Sequence, residues 1–558
     1  MSRSRRFWIL FILLLLGAWG LFLIGDQRVG LWDRDEPWYA QCSREMLQSG
    51  DWVVPRFLHS WRVEKPPLIY WLQATTMWFI GDTPLAARLP SSIGVVFTAA
   101  ILGVMARRYA GTQRALWSVL IFCTCGVIIA ASKFCITDGM YMCLISVGQA
   151  CLATMYAAHY RGERSPWWSA PLFWTTSGLA GLTKGPQGLV MQIFTLVILL
   201  VLDVKGDRRS HRSWKQAARW WWELKPIIAV PILIIVVSPW LILVHHRANG
   251  FVAGLFQKVK EHAQTSMEGH GKPPGYHALL IFGTFFPWSI FLVTAIKLAW
   301  QNRRLPVIRF AMAATAGPWL LMETFVFTKL PFYVLPAFPG LAFLTADGLV
   351  RCIRARQPRS LRLEACIWTI AVLGMSVTPF LVIRYSGDLA VPMLGIIAFC
   401  VCGLLYAAAV LLSLWHSKIR LAAIVMGAGM ALMIAILYGA IFPGLQMVRL
   451  SERAVDDLRA QGACGPEVLV GVIGYEEPSL AFYQGGGVRI LAEHYFQETP
   501  QSAWPRWFVI RKEDEWNQSV PPQVQSKLIL IAREWGINYS QGGRINTLLI
   551  LQNPLAPK

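Results

Sequence analysis

The chain has 558 residues, 55% of them apolar and 15% charged, with a formal net charge of +21. Its mean hydropathy of +0.45 lies outside the range of ordinary soluble domains and calls for a bilayer. The Lys and Arg residues sit in short clusters between apolar runs and not along one soluble face, which argues against a nucleic-acid partner and makes charge a marker of topology. Most of the eleven cysteines fall inside apolar runs, and no disulfide framework or CxxC metal motif is present.

Apolar runs of spanning length fall at roughly 7–25, 89–106, 115–132, 139–158, 170–183, 186–204, 226–244, 277–299, 309–327, 333–350, 364–384, 391–414 and 421–441, about thirteen in all. The basic start and first run resemble a signal peptide, but no small-residue cleavage site follows, so a retained first helix is expected. Alternate connections are basic, from Arg3, Arg5 and Arg6 through Arg107/Arg108/Arg114, Arg161/Arg164, Lys205 to Lys225, Arg303/Arg304/Arg309 and Arg351 to Arg362, to Lys418/Arg420. The positive-inside rule then puts the N-terminus in the cytoplasm and the remaining connections outside: long loops at 26–88 and 245–276 and short turns at 133–138, 184–185 and 328–332. After residue 441, strand-like pieces such as 468–474, 507–515 and 545–551 alternate with helical pieces and glycine turns. The sequence therefore predicts an all-α polytopic membrane domain over 1–441 and a small C-terminal α/β domain over 442–558 on the outer, periplasm-like side.

The first outer loop carries most of the chemical signal. Pro37 suits the first turn of a helix, and Trp38, Cys42 and Met46 recur at spacing four, predicting an amphipathic helix at the interface. Asp35 or Glu36 would cap that helix in the simplest reading. Glu64-Lys65-Pro66-Pro67 places a carboxylate and a cation where the chain re-enters the membrane. A leaving phosphate needs a fixed cation, although a snorkelling lysine would look the same. A charge pair near 4 Å is worth about 1 kcal/mol in water and roughly 4 kcal/mol at an effective dielectric of 20, so one lysine helps without sufficing. Further candidates on the outer side are Thr137-Asp138, Lys184-Gly185, the lysines Lys258, Lys260 and Lys272 with His262 and His270, and Lys329 with Tyr333. A helix cap, a tight turn, solvated loop charges and an interface aromatic are their structural readings. No nucleotide motif or metal-ligand spacing such as HExxH accompanies them, so a donor already in the membrane fits best.

Taken together, the stretch from Asp35-Glu36-Pro37-Trp38-Tyr39, Glu64-Lys65-Pro66-Pro67, Thr137-Asp138, Thr183-Lys184-Gly185, Glu261-His262 and Lys329-Leu330-Pro331-Phe332-Tyr333 resembles the GT-C membrane glycosyltransferases. Within that class it is similar to the protein O-mannosyltransferases and the aminoarabinose transferases acting on lipid A, and Tyr475-Glu476-Glu477-Pro478 is similar to the tail of the latter. The resemblance implies inverting transfer of a sugar from undecaprenyl (polyprenyl) phosphate to an outer-face acceptor, foremost 4-amino-4-deoxy-L-arabinose to a lipid A phosphate. Transfer of another sugar to a protein, glycan or lipid is the alternative, and a transporter fits less well because the acidic residues sit at loop edges and no halves repeat. By motif, Asp35 and Asp138 would be the catalytic acids. Lys65, Lys184, Lys258, Lys260, Lys329 and Tyr333 would bind donor phosphate and substrate. Glu64 with His262 would be the place for a divalent metal, zinc or magnesium, if one is used. The pattern departs at Thr265, where the aminoarabinose enzymes tend to carry arginine, leaving that charge to Lys258, Lys260 or Lys272.

Overall fold

The computed structural model describes residues 2–206, 213–265, 270–355, 361–386, 390–511 and 520–556. In chain order the helices are α1 (Arg3–Leu23), α2 (Asp35–Ser49), α3 (Leu68–Ile80), α4 (Pro84–Ala110), α5 (Thr112–Cys123), α6 (Gly126–Lys133), α7 (Asp138–Arg161), α8 (Ser169–Lys184) and α9 (Gln187–Gly206). They continue with α10 (Trp214–Ala218), α11 (Pro226–Arg247), α12 (Phe251–Gln264), α13 (Tyr276–Thr284), α14 (Leu292–Gln301), α15 (Pro306–Phe325) and α16 (Phe338–Ala355). Then come α17 (Arg362–Ser386), α18 (Met393–Trp415), α19 (Ile419–Ile436), α20 (Leu450–Ala460) and α21 (Pro478–Gln484), followed by two single-turn helices at Tyr495–Glu498 and Pro522–Gln525.

The protein is a multi-pass membrane protein. All thirteen apolar runs fall on helix, yet they are not thirteen equivalent straight spans. Among the described residues nine helices are long and apolar enough to cross a membrane alone. Helix α8 is a shorter segment of 16 residues, and α15 carries the buried polar groups Arg309 and Glu323. The runs 115–132 and 277–299 are bent pairs, α5 with α6 at 61° and α13 with α14 at 117°.

The two breaks meet. Gly126 donates its backbone N–H to the Phe286 carbonyl at 2.8 Å, and the Trp288 indole donates to Thr124 Oγ1 at 3.0 Å. Backbone groups freed at one break are thus satisfied at the other, as a membrane interior requires. Helices α7 and α16 lie at the centre of the bundle, whereas α11 and α17 turn most of their apolar surface outward. Helices α4 and α7 approach closely near their starts, where a Cβ on Gly94 would meet the Gly139 carbonyl at 2.8 Å and one on Gly139 would meet Ser91. Only glycine permits this approach, which fixes the first turn of α7 and with it Asp138.

The loop 26–88 is largely structured. It holds α2, a short hairpin of β1 (Arg56–Phe57) and β2 (Ser60–Trp61), and α3. Helix α2, expected at the membrane interface, is instead enclosed from Glu36 through Met46, except for Trp38, between α3 and α21. The loop 245–276 contains a helix, α12, which the sequence reading did not anticipate.

The C-terminal region forms a five-stranded mixed sheet. Its strands are β3 (Val470–Ile473), β4 (Val488–Ile490), β5 (Trp507–Arg511), β6 (Ile529–Asn538) and β7 (Arg544–Gln552), in the order β4-β3-β5-β7-β6. Strands β4, β3 and β5 run parallel, and β7 pairs antiparallel with both β5 and β6. Asp33 anchors this region to the loop 26–88, accepting from the Ser479 N–H at 3.0 Å and from its hydroxyl at 2.5 Å. Arg34 pairs with the buried Glu477 at 3.3 Å.

Candidate active site

The acidic pair that opens α2 divides its work. Glu36 is fully buried and accepts from Arg88 Nε at 2.9 Å and Nη2 at 2.6 Å. It also accepts from the backbone N–H groups of Trp32 at 2.9 Å and Cys135 at 2.7 Å. The other Arg88 donors go to the carbonyls of Asp26, Val29 and Gly30. Every strong site on both groups is used, so this pair ties the loop 26–88 to α4 and to the turn before α7. Asp35, one residue earlier, is exposed; its charge and that of Asp138 both bear on the buried Tyr39 hydroxyl, which burial first and then Tyr70 keep protonated.

At the end of α8, Lys184 donates to Asp138 Oδ1 at 2.7 Å, with both side chains 9% exposed. The ammonium lies 4.6 Å from the centre of the Tyr333 ring. Beside it, Lys65 reaches the same space from the Pro66-Pro67 turn and makes no ion pair among the described residues. Burial, and then the like charges of Lys184 and Arg62, push the Lys65 ammonium down to about 8, opposed by Asp138 and Glu64. One cavity is lined by Glu64, Lys65, Lys184, Lys258 and Tyr333. Four of the six residues assigned to phosphate and substrate thus converge, from four separate stretches of chain.

The remaining assignments fall elsewhere. Lys260 is exposed on α12, away from the cavity that Lys258 lines. Lys329 is 3% exposed and donates to the Lys272 carbonyl at 2.9 Å, so it fastens the long outer loop and does not line this cavity. Lys258 also pairs with Glu261 at 3.2 Å. Glu64 lies 3.7 Å from Arg62 and keeps one carboxylate oxygen buried without a hydrogen-bond partner. The side chain of His262 lies outside the described residues, and among those described no group of three or more His, Cys, Asp or Glu side chains is arranged to hold a metal.

Sequence reasoning missed Arg62, which is 9% exposed and lies over the Trp38 ring at 4.5 Å. It sits in the loop 26–88, but a single arginine has no spacing to mark it. Arg88 was also missed: it stands one residue before the run 89–106, and only the longer α4 puts it inside a spanning helix, where an arginine signals a buried partner.

The fold is shared with solved proteins. ArnT from Cupriavidus metallidurans, solved bound to undecaprenyl phosphate, superposes with a TM-score of 0.76 at 20% identity over 100% of both chains. The chain has the GT-C fold. The archaeal oligosaccharyltransferase AglB from Archaeoglobus fulgidus is a more distant match, with a TM-score of 0.51 at 11% identity over 98% of this chain and 74% of that one. In sequence, residues 7–251 match the family described as dolichyl-phosphate-mannose-protein mannosyltransferase. The undecaprenyl phosphate-alpha-4-amino-4-deoxy-L-arabinose arabinosyl transferase of Pseudomonas paraeruginosa is 28% identical over 380 residues, 66% of this chain and 65% of that protein. The enzyme of the same name from Edwardsiella ictaluri is 27% identical over 408 residues, 70% of this chain and 69% of that one. The match to the Pseudomonas relative therefore spans just under two thirds of its length.

Proposed function

We propose that this protein is an inverting glycosyltransferase that moves 4-amino-4-deoxy-L-arabinose from undecaprenyl phosphate to a phosphate of lipid A at the periplasmic face of the inner membrane. The observation that carries the proposal is the convergence of Lys65, Lys184, Lys258 and Tyr333 on one cavity beside Asp138. The names of the sequence relatives support the sugar and the carrier. The arginine clusters at the far ends of α4 and α7 support a cytoplasmic N-terminus and a periplasmic site and C-terminal domain.

In the reaction an acceptor oxygen attacks the anomeric carbon from the side opposite the phosphate. The new C–O bond forms as the bond to the phosphate oxygen breaks, and the bonding pair leaves with the polyprenyl phosphate. Lys65 and Lys184 neutralise that growing charge from fixed positions, which is where electrostatic stabilisation is most effective. Lys258 adds charge at the cavity wall, and Tyr333 covers Lys184. Asp138 holds the Lys184 ammonium and is a positioning residue in this account. A lipid A phosphate is ionised near neutral pH, so no proton need be removed. Asp35, exposed at the start of α2, then binds the amino group of the sugar or balances positive charge at the anomeric carbon. A divalent ion, zinc or magnesium, bound through Glu64 and His262 would supply a further cation for the leaving phosphate. The steps above do not depend on it.

Purified protein incubated with undecaprenyl-phosphate aminoarabinose and lipid A should add one sugar mass to lipid A. Transfer to a peptide hydroxyl from a polyprenyl-phosphate hexose instead would establish the second reading, which the family match over residues 7–251 favours. Asp35 would then act as general base.

A further inference from the structure

At the opposite ends of α4 and α7 from Asp138, a cavity of about 580 Å³ opens between α4, α7, α15 and α16. Arg108, Arg114, Arg161 and Arg351 line it, against a single carboxylate, Asp347. Arg114 Nε donates to Asp347 Oδ1 at 2.5 Å and Arg351 Nε to Oδ2 at 2.7 Å, so both carboxylate oxygens are taken by the inner two arginines. The outer two carry the surplus charge. Arg108 is exposed, lies 5.6 Å from the centre of the Tyr109 ring and makes no ion pair among the described residues; Arg161, 5.8 Å from the same ring, pairs there with the solvent-facing Glu163 at 3.2 Å.

The arginine-lined cavity continues into the membrane as an apolar cleft. Tyr109, Ala153, Val307, Phe310 and Phe343 belong to both, and the cleft extends along Leu102 and Met105 with a volume of about 110 Å³. A site that is cationic at the membrane surface and greasy just below it matches an anionic amphiphile, since guanidinium groups pair well with phosphate oxygens and basic pockets between spanning helices suit lipid headgroups. At about 30 Å³ per water, the outer cavity has room for far more than a phosphate.

We propose that this cavity binds an anionic glycerophospholipid, its glycerophosphate headgroup between Arg108 and Arg161 and the start of one acyl chain in the cleft. The site is separate from the Lys65–Lys184 cavity and does not rest on the transfer reaction. A long polyprenyl chain with its small phosphate fits less well, because the cleft takes only a short length of chain and the headgroup space would stay largely empty.

Native mass spectrometry of the full-length protein released from detergent, after addition of phosphatidylglycerol or phosphatidylcholine with the same chains, tests this. Wild-type protein should retain phosphatidylglycerol about tenfold better, and the Arg108→Ala/Arg161→Ala variant should lose about tenfold in that retention. Its melting temperature without added lipid should be unchanged, since both side chains are at the surface. Ala153→Trp, which fills the junction of cavity and cleft, should lower retention without changing charge. Equal retention of the two lipids, or unchanged retention in the double variant, would overturn the proposal. So would displacement of the lipid by glycerol 1-phosphate at equal concentration, or retention of polyprenyl phosphate alone.

Discussion

Lys184 at the end of α8 and Asp138 at the start of α7 form an ion pair of 2.7 Å with both side chains 9% exposed, at the rim of the cavity that Lys65 also enters. Because the pair is enclosed, removing either partner strands the other charge. Lys184→Met should lower the transfer rate by roughly a hundredfold, the scale seen when a fixed transition-state donor is lost. Asp138→Asn should cost less, and the double variant should cost no more than Lys184→Met, because Asp138 acts through the lysine. Steady-state kinetics on the three variants checks the coupling, and strictly additive losses would separate the two residues.

Burial and the neighbouring cations bring the Lys65 ammonium down to about 8. It is charged below that pH and loses its charge as pH rises through it. Donor affinity should therefore fall on the alkaline side near pH 8, and a bound phosphate would push the limit upward. Lys65→Arg, which stays charged throughout, should remove that limb of the pH profile even where it lowers the rate. An unchanged alkaline limb in the arginine variant would assign the titration to another group.

Glu36 and Arg88 are 0% and 1% exposed, and between them they fasten the outer loop to α4 and the turn at Cys135. Arg88→Met should destabilise the protein by about 3–5 kcal/mol, the usual result of stranding a buried charge. Thermal unfolding in detergent measures it. The replacement Glu36→Gln/Arg88→Met should recover part of that loss.

Asp33 joins the first outer loop to the C-terminal region through Ser479. Burial and the nearby Glu477 push its carboxyl up to about 7, partly offset by Ser479 and Arg34. A carboxyl raised above its ordinary value of 3.8 takes up a proton on docking. Docking should therefore be strongest at acidic pH and weaken as pH rises between about 4 and 7. Hydrogen exchange at residues 475–484 across that range reads the effect, and Asp33→Asn should flatten it.

Lys258 lines the cavity, whereas Lys260 is exposed on α12 and does not. Lys258→Ala should raise the KM for the lipid-linked donor severalfold, whereas Lys260→Ala should leave it within twofold or so, as expected of a solvated surface charge. Steady-state KM values for the two variants decide this.

The same two lysines show what the sequence made legible. Residues two apart on a helix do not share a face, so the split between Lys258 and Lys260 was readable once residues 251–264 were known to be helical; read as loop, they looked equivalent. Each apolar run is helical, because length and hydropathy alone determine that in a bilayer. The bend in the 277–299 run also left a mark, since Pro287 interrupts it and proline breaks a helix. The bend after Cys123 carries no proline and follows from its packing against Phe286. Lys65, Lys184 and Tyr333 could be picked by motif, whereas the inward turn of Lys329 to the Lys272 carbonyl depends on how two distant loops meet. The amphipathic pattern of α2 identified the helix but not its burial, because α21 comes from more than 400 residues later.

In the proposed reaction the Lys65–Lys184 cavity holds the carrier's phosphate. Equilibrium binding of undecaprenyl phosphate and of undecaprenol, the same lipid without its phosphate, to full-length protein and to Lys65→Met tests it most directly. Wild-type protein should prefer the phosphate, and Lys65→Met should lose at least about tenfold in affinity for it, with affinity for the alcohol unchanged. Equal affinity of wild-type protein for phosphate and alcohol, or no loss in the variant, would contradict it.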